Sequence, residues 1–252
     1  MRTVVLSSGS KGNTTFIESG NTKILIDAGN TCKYITEKLK GIGIEPNEID
    51  AIFITHTHSD HIKGLKVFTN KYNTKVYFSD KMKEELDYII NYSIIKEGSL
   101  KLNELTINII KTSHDANESF GFIIESNNKS IVYITDTGYI NNKYFNLLSN
   151  KNIYILESNH DIEMLNNGPY SFALRQRILG DKGHLSNYDC SKYLSNFIGN
   201  NTKCIMLAHL SQDNNEPNIA YNTLIERLNN NNQTVEKIII LKQNECSEEI
   251  LI

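Results

Sequence analysis

Residues 56–61 read HTHSDH, gathering three histidines and an aspartate into six positions of a chain that holds only seven histidines in 252 residues. Imidazole and carboxylate together are a usual donor set for divalent metals. His56 and His58 alternate by two, so both rings can aim the same way, while Asp60 and His61 lie past the turn and can face a second point. A single tetrahedral zinc that keeps one position open rarely takes four ligands from six residues, so the spacing points to two ions. The competing reading is a polar loop in which Asp60 caps the next helix and the histidines are solvated. Three clustered histidines weigh against it.

If this stretch binds metal, further ligands should stand at the ends of later strands, which are rigid platforms for a site. TINIIKTSHDA places His114 just past a strand, SIVYITDTG places Asp136 after another, and KCIMLAHLS places His209 after a third. A lone histidine is more often a core or surface residue than a ligand, and it is the shared strand-end position that singles these out. A carboxylate can bridge two cations about 3.5–4 Å apart, the separation of two-metal hydrolases, and Asp136 is the candidate bridge.

The elements that must hold these residues follow from periodicity. Apolar runs rich in Val, Ile, Tyr and Phe (TVVL, TTFIES, KILID, AIFIT, KVYFS, TINIIK, FGFIIES, SIVYIT, NIYILE, KCIML and VEKIIIL) predict many strands. Helical spacing predicts helices over 32–42, 62–71, 80–90, 141–148, 169–179, 187–198 and 219–229. The pattern implies an α/β protein with sheets covered by helices. No linker stands out, since only three prolines are present and NNNN at 229–232 is the one low-complexity stretch, so residues 1–252 are expected to form a single domain.

With 39% hydrophobic and 22% charged residues and a net charge of -3, the composition is that of a soluble globular protein without a bulk basic signature, so any anion site must be local. MRTVVLSSGS carries too short an apolar run for a secretory signal or membrane span. Cys32, Cys190, Cys204 and Cys246 are widely spaced without a CxxC pair, which argues against a disulfide framework and for a reducing cytoplasm. Cys204 reads as a small buried hydrophobe.

The ordered set His56, His58, Asp60, His61, His114, Asp136 and His209 resembles the motifs of the metallo-β-lactamase fold superfamily. Its early aspartate, which supports the site from behind the ligands, is matched by Asp27 in ILIDAG. The resemblance implies an αββα sandwich, two mixed sheets flanked by helices with the metals at one edge. True β-lactamases of this fold generally carry a cysteine where this chain has Asp136, so the site looks like those of the superfamily's hydrolases and nucleases. LSSGSKGN, ESNHDIEML and RILGDKGHLSN look like the YycJ/WalJ group of bacterial metal-dependent hydrolases, described as exonucleases.

The resemblance implies that His184, in DKGHLSN, contacts phosphate or donates a proton to a leaving oxygen, with Ser186 or Asn187 capping the next helix. Asp60 and His184 are the candidate catalytic residues. His160 follows a strand as a ligand would, but with His114 available it is read as supporting the ligands or organising its loop. SSGSKGN, with Ser10 and Asn13, could offer N–H groups and hydroxyls to an anion, or be a hairpin turn. Arg175, Arg177 and Lys182 form either a solvated face or a contact for a phosphate backbone.

Two divalent ions, Zn²⁺ or Mn²⁺, set against Asp60, Asp136 and a bridging hydroxide leave a residual charge of about +1, which suits an anionic phosphodiester. The expectation is a phosphodiesterase, a nuclease acting on DNA or RNA, with no membrane partner. The alternatives are a small-molecule hydrolase of a cyclic phosphodiester, thioester or lactone on the same core, or a metal-binding scaffold without turnover.

Overall fold

The computed structural model describes residues 1–252. Fourteen strands run in chain order: β1 Arg2–Ser7, β2 Thr14–Ser19, β3 Thr22–Ile26, β4 Ala51–Phe53, β5 Lys75–Ser79, β6 Tyr92–Ile95, β7 Gly98–Leu102, β8 Leu105–Lys111, β9 Phe120–Ser126, β10 Lys129–Ile134, β11 Ile153–Glu157, β12 Cys204–Ala208, β13 Lys237–Ile240 and β14 Ile250–Leu251. Eight α-helices accompany them: α1 Cys32–Gly41, α2 Ser59–Ile62, α3 Leu65–Tyr72, α4 Phe145–Leu148, α5 Ile162–Asn167, α6 Phe172–Leu179, α7 Asn187–Phe197 and α8 Pro217–Asn230. One sheet has the order β14-β1-β2-β3-β4-β5-β6 and the other β13-β12-β11-β10-β9-β8-β7.

Both sheets are mixed. In the first, β1 to β3 and β14 pair antiparallel, while β3 to β6 pair parallel. In the second, β7–β8 and β9–β10 are antiparallel, and β10 to β13 are parallel. The parallel strands are the ones that matter for chemistry, because their carboxyl ends all open on the same edge of a sheet and that edge is where open α/β sheets place ligands. Two mixed sheets with flanking helices are what the family resemblance implies.

The chain divides into two compact units, each assembled from more than one stretch: Met1–Ile109 with Ala116–Phe120 and Lys242–Ile252, and Ile110–Asp115 with Gly121–Leu241. In the first unit the strands bury Val4, Phe16, Leu25 and Ile52, and α1 and α3 bury Ile35, Leu39, Leu65 and Phe68. Phe53 and Tyr77, neighbours on β4 and β5, stack with centroids 4.5 Å apart. In the second unit Val132, Ile134, Tyr154, Leu156, Ile205 and Leu207 form one apolar surface, covered by Leu194 and Phe197 of α7 and Ala220, Leu224 and Leu228 of α8. Each fully buried aliphatic or aromatic side chain of this kind is worth roughly 1.5–3 kcal/mol.

Helices expected over 32–42, 187–198 and 219–229 are present as α1, α7 and α8, and the strand runs all form strands. Those expected over 141–148 and 169–179 are shorter, α4 following a 3-10 turn at Asn142–Tyr144 and α6 starting at Phe172, and two further expectations need correction. The segment 80–90 is not a helix: only Asp80–Met82 forms a short 3-10 turn. Met82, Leu86 and Ile89 are buried at helical spacing, but a series of tight turns meets the same burial demand while the chain returns to start β6 parallel to β5. The helix expected over 62–71 is two helices, α2 and α3, which meet at Gly64, where a Cβ would lie 2.2 Å from the Asn30 carbonyl oxygen. No helix is long and apolar enough to cross a membrane.

Candidate metal centre

In the first unit the HTHSDH stretch begins where β4 stops. Asp60 and His61 lie within α2, whose N-cap is His58, so Asp60 is a helical residue and not the cap. The backbone brings the rings together, with centroids of His56 and His58 4.6 Å apart and of His56 and His61 4.1 Å apart. Behind them sits Asp27, just past β3 and fully buried. It accepts hydrogen bonds from Thr55 N at 2.8 Å and Thr55 Oγ1 at 2.9 Å, and its Oδ2 lies 2.7 Å from His61 Nδ1. Burial pushes the Asp27 carboxyl up, against the opposing pull of His61.

Asn13 settles which His61 nitrogen carries the proton. Asn13 Oδ1 accepts from Gly9 N at 2.8 Å, which leaves Nδ2 to donate to His61 Nε2 at 3.0 Å. Nε2 is therefore an acceptor, Nδ1–H donates to Asp27, and the lone pair that a metal needs is on Nε2. The approach of this turn to α2 requires glycine at position 29, where a Cβ would stand 1.7 Å from the Asp60 carbonyl oxygen.

In the second unit the parallel register does the positioning. Ile134, Leu156 and Leu207 are aligned across β10, β11 and β12, so Asp136, Glu157 and His209 emerge side by side at the strand ends. Ligand atoms of Asp136, Glu157, His184 and His209 all lie within 4.8 Å of one another. His184 also stands against His114, with ring centroids 5.1 Å apart. Asp27, Asp136 and His209 have positive φ angles of 61°, 54° and 55°, a conformation that costs a side-chain-bearing residue roughly 1–2 kcal/mol. Strain of this sort at three strand ends marks sites that the rest of the fold over-determines.

Glu157 is the residue the sequence reading missed. Its Oε1 lies 2.7 Å from His184 Nδ1 and 3.0 Å from His209 Nδ1, and its Oε2 accepts from Thr137 N at 3.0 Å and Leu185 N at 3.2 Å. Burial alone would push this carboxyl up, but His184 and the hydrogen bonds from both histidines outweigh it and hold it at about 2. An ionised carboxylate only accepts, so both imidazoles donate Nδ1–H and turn Nε2 outward. Burial lowers His184, yet Glu157 and Asp136 override it and keep the ring protonated above the ordinary histidine range. Burial pushes His114 down, against the pull of Asp136, and its Nδ1–H donates to the Gly183 carbonyl at 3.2 Å. The signal for Glu157 was available: a carboxylate closing the otherwise apolar strand IYILE, the same strand-end position that singled out His114, Asp136 and His209.

The other candidates fall into several groups. Ser186 is the N-cap of α7, accepting from Asp189 N. Arg177 pairs with Asp115, next to His114, whereas Arg175 donates to the Asn166 carbonyl, and Lys182 is exposed. Asn13 is buried and orders Asp60 and His61, and the N–H groups of Gly9, Gly12 and Asn13 are all spent on acceptors in the protein, so this segment is built as a turn. Ser10 is exposed and its hydroxyl accepts from Gln243 Nε2. His160 is buried with neither ring nitrogen hydrogen bonded, and burial pushes it down to about 4, against the pull of Glu157. Its backbone carbonyl accepts from Asn187 N, tying the loop after β11 to the start of α7.

A family model described as Beta-lactamase superfamily domain matches residues 22–197. The chain is 38% identical over 233 residues to Exodeoxyribonuclease WalJ of Streptococcus pneumoniae, covering 89% of this chain and 87% of that protein. It is 36% identical over 223 residues to Exodeoxyribonuclease YycJ of Bacillus anthracis, covering 86% and 84%. Among solved structures, the metallo-beta-lactamase fold protein YhfI from Bacillus subtilis matches with a TM-score of 0.76 at 17% identity over 99% of each chain, a likeness of fold alone.

Proposed function

Because the chain belongs to the metallo-β-lactamase superfamily, with the WalJ and YycJ exodeoxyribonucleases among its relatives, we propose that it is a metal-dependent exonuclease that hydrolyses DNA phosphodiester bonds. The observation that carries the reading is the Glu157 carboxylate, which holds His184 and His209 by the same kind of hydrogen bond and so joins a proton donor to a metal ligand. The residues that would hold two divalent ions, Zn²⁺ or Mn²⁺, are His56, His58, Asp60, His61, His114, Asp136 and His209, as the family's motif order implies. The donor set fits: mixed imidazole and carboxylate suits either ion, and the histidines whose tautomers are fixed above carry their proton on Nδ1. On this reading residues 1–252 act as one functional domain, because the motif set runs through both units.

Bound divalent ions supply positive charge for the phosphoryl oxygens and acidify the attacking water. The protein's own residues do the rest. Asp27 and Glu157 fix the orientation of His61 and His209. His184, kept protonated by Glu157, delivers its Nε2 proton to the departing oxygen, a role worth roughly 10²–10⁴ in rate. Lys182, which is exposed, supplies charge for flanking phosphates.

The test is a side-by-side assay of metal-loaded protein on end-labelled DNA, end-labelled RNA, a cyclic phosphodiester, a thioester and a lactone. Progressive shortening of DNA is expected. Turnover of the thioester or lactone without cleavage of any nucleic acid would overturn the reading in favour of a small-molecule hydrolase, and no turnover with metals fully loaded would favour a scaffold.

A further inference from the structure

Beside the strand ends that carry His114 and Asp136, the second unit has a pocket of about 210 Å³ lined by Lys111, Thr112, Ser113, Tyr139, Asn141, Lys143 and Tyr144. Its walls are the segments that lead into His114 and away from Asp136. Ser113 N donates to Thr137 Oγ1 at 3.0 Å, Gly138 N donates to the Ser113 carbonyl at 2.9 Å, and Thr137 N donates to Glu157 Oε2 at 3.0 Å. The bend between the walls needs glycine at position 138, where a Cβ would stand 2.3 Å from the Asp181 carbonyl oxygen. The floor is fixed as well, since the buried Tyr144 hydroxyl accepts from Lys111 N at 3.0 Å.

The lining holds two lysines and no carboxylate, on a chain whose net charge is -3. Lys143 Nζ lies over the Tyr144 ring, 4.7 Å from its centroid, and Tyr139 is 41% exposed. A second, larger pocket of about 430 Å³ between residues 198–202 and 232–236 contains Glu236 and no cation, so size alone does not mark a polyanion site. The smaller pocket lies below the roughly 300–1,000 Å³ of sites that enclose drug-sized ligands, so it receives part of a nucleotide and leaves the remainder at its open rim. Cations and an accessible aromatic ring together are how proteins track a single strand: the cations follow the phosphates and the ring stacks a base of any sequence.

We propose that this pocket is a subsite for one nucleotide flanking the scissile bond of a single DNA strand, with its phosphate at Lys111 and Lys143 and its base on Tyr139. The proposal rests on the exonuclease reading and adds to it a place where the strand outside the reacting centre is held. It predicts a preference for polymer over a small diester without any base-specific contact.

The test uses the full chain loaded with Mn²⁺, acting on a single-stranded decanucleotide, with Lys111→Ala/Lys143→Ala and Tyr139→Ala variants compared with wild type. Metal content and melting temperature equal to wild type establish that each variant is folded. Losing two phosphate contacts should make the fall of log(kcat/KM) with log[salt] shallower by about 1.4, at about 0.7 per contact on a single strand. Tyr139→Ala should raise KM about tenfold with kcat changed less than twofold, and Tyr139→Phe should restore KM, because stacking needs the ring and not the hydroxyl. Decanucleotide binding in EDTA, read by fluorescence anisotropy, should weaken in parallel. Wild-type salt slope, KM and affinity in both variants, while wild type degrades DNA, would overturn the subsite and leave the exonuclease reading intact. If metal-loaded wild type degrades no polynucleotide, both fall.

Discussion

Glu157→Gln tests the hydrogen-bonding logic of the site most directly, because it keeps the shape of the side chain and changes only what it can accept. The carboxylate now satisfies four donors, two imidazole Nδ1–H groups on Oε1 and two backbone N–H groups on Oε2. A glutamine has one accepting oxygen and one donating NH₂. If the oxygen served the histidines, the NH₂ would face two backbone donors that cannot change, leaving buried groups unmet at about 1–3 kcal/mol each. The oxygen therefore turns to Thr137 N and Leu185 N, and the NH₂ faces His184 and His209, which must move their protons from Nδ1 to Nε2. That tautomer removes the Nε2 lone pair of the proposed ligand His209, and metal affinity should fall about 10- to 100-fold, the usual worth of a partner that orients a ligand.

Stability should fall too. With its carboxyl held at about 2 against an ordinary 4.5, Glu157 contributes about 3 kcal/mol to stability above pH 4.5, lost as the pH falls through about 2. A loss of that size lowers the melting temperature of a chain of this length by about 6–12 °C. His184, no longer raised by Glu157, should lose its proton at lower pH, so the alkaline limb of kcat moves down in pH. Chelator competition, a melting curve and a pH–rate profile read the three effects. Metal affinity within threefold of wild type together with an unmoved alkaline limb would refute the argument.

His184→Ala should leave metal content unchanged and slow turnover about 10²- to 10⁴-fold, with a smaller loss on a diester that has a good leaving group; loss of metal would make His184 a ligand instead. Asp136→Asn should reduce bound metal below two ions per chain and remove turnover, while circular dichroism stays that of wild type; full metal occupancy would remove Asp136 from the ligand set. His160, neutral and buried at about 4 against an ordinary 6.5, makes the fold weaken on acidification: about 3 kcal/mol of stability is present above pH 6.5 and lost as the pH falls through about 4. Denaturant unfolding from pH 7 to 4 should show that slope in wild type and a flatter one in His160→Leu, and equal slopes would count against it.

Much of this protein was legible in its sequence for a local reason. The strands are continuous apolar runs, such as IYILE and CIMLA, buried along their whole length, and period and composition reveal such runs without reference to the rest of the chain. HTHSDH is likewise local, since its donors lie within six residues. His114, Asp136 and His209 could be found because each follows a recognisable strand.

What the sequence alone did not decide is which groups face one another across strands. The pairing of Glu157 with His209 depends on the parallel register of β11 and β12, and its pairing with His184 on where the loop before α7 lands; register is set by lateral packing and not by any short-range pattern. In the sequence Asn13 fits an anion-binding segment or a hairpin turn, and only the tertiary structure turns it inward to fix the proton on His61. The segment 80–90 shows the converse: Met82, Leu86 and Ile89 carry a helical burial pattern, yet the return to a parallel neighbouring strand governs the backbone. Side-chain type and spacing specify which groups are available and which face is apolar. Long-range backbone pairing specifies their partners, and in a buried site the partner sets protonation, tautomer and hence what each group can do.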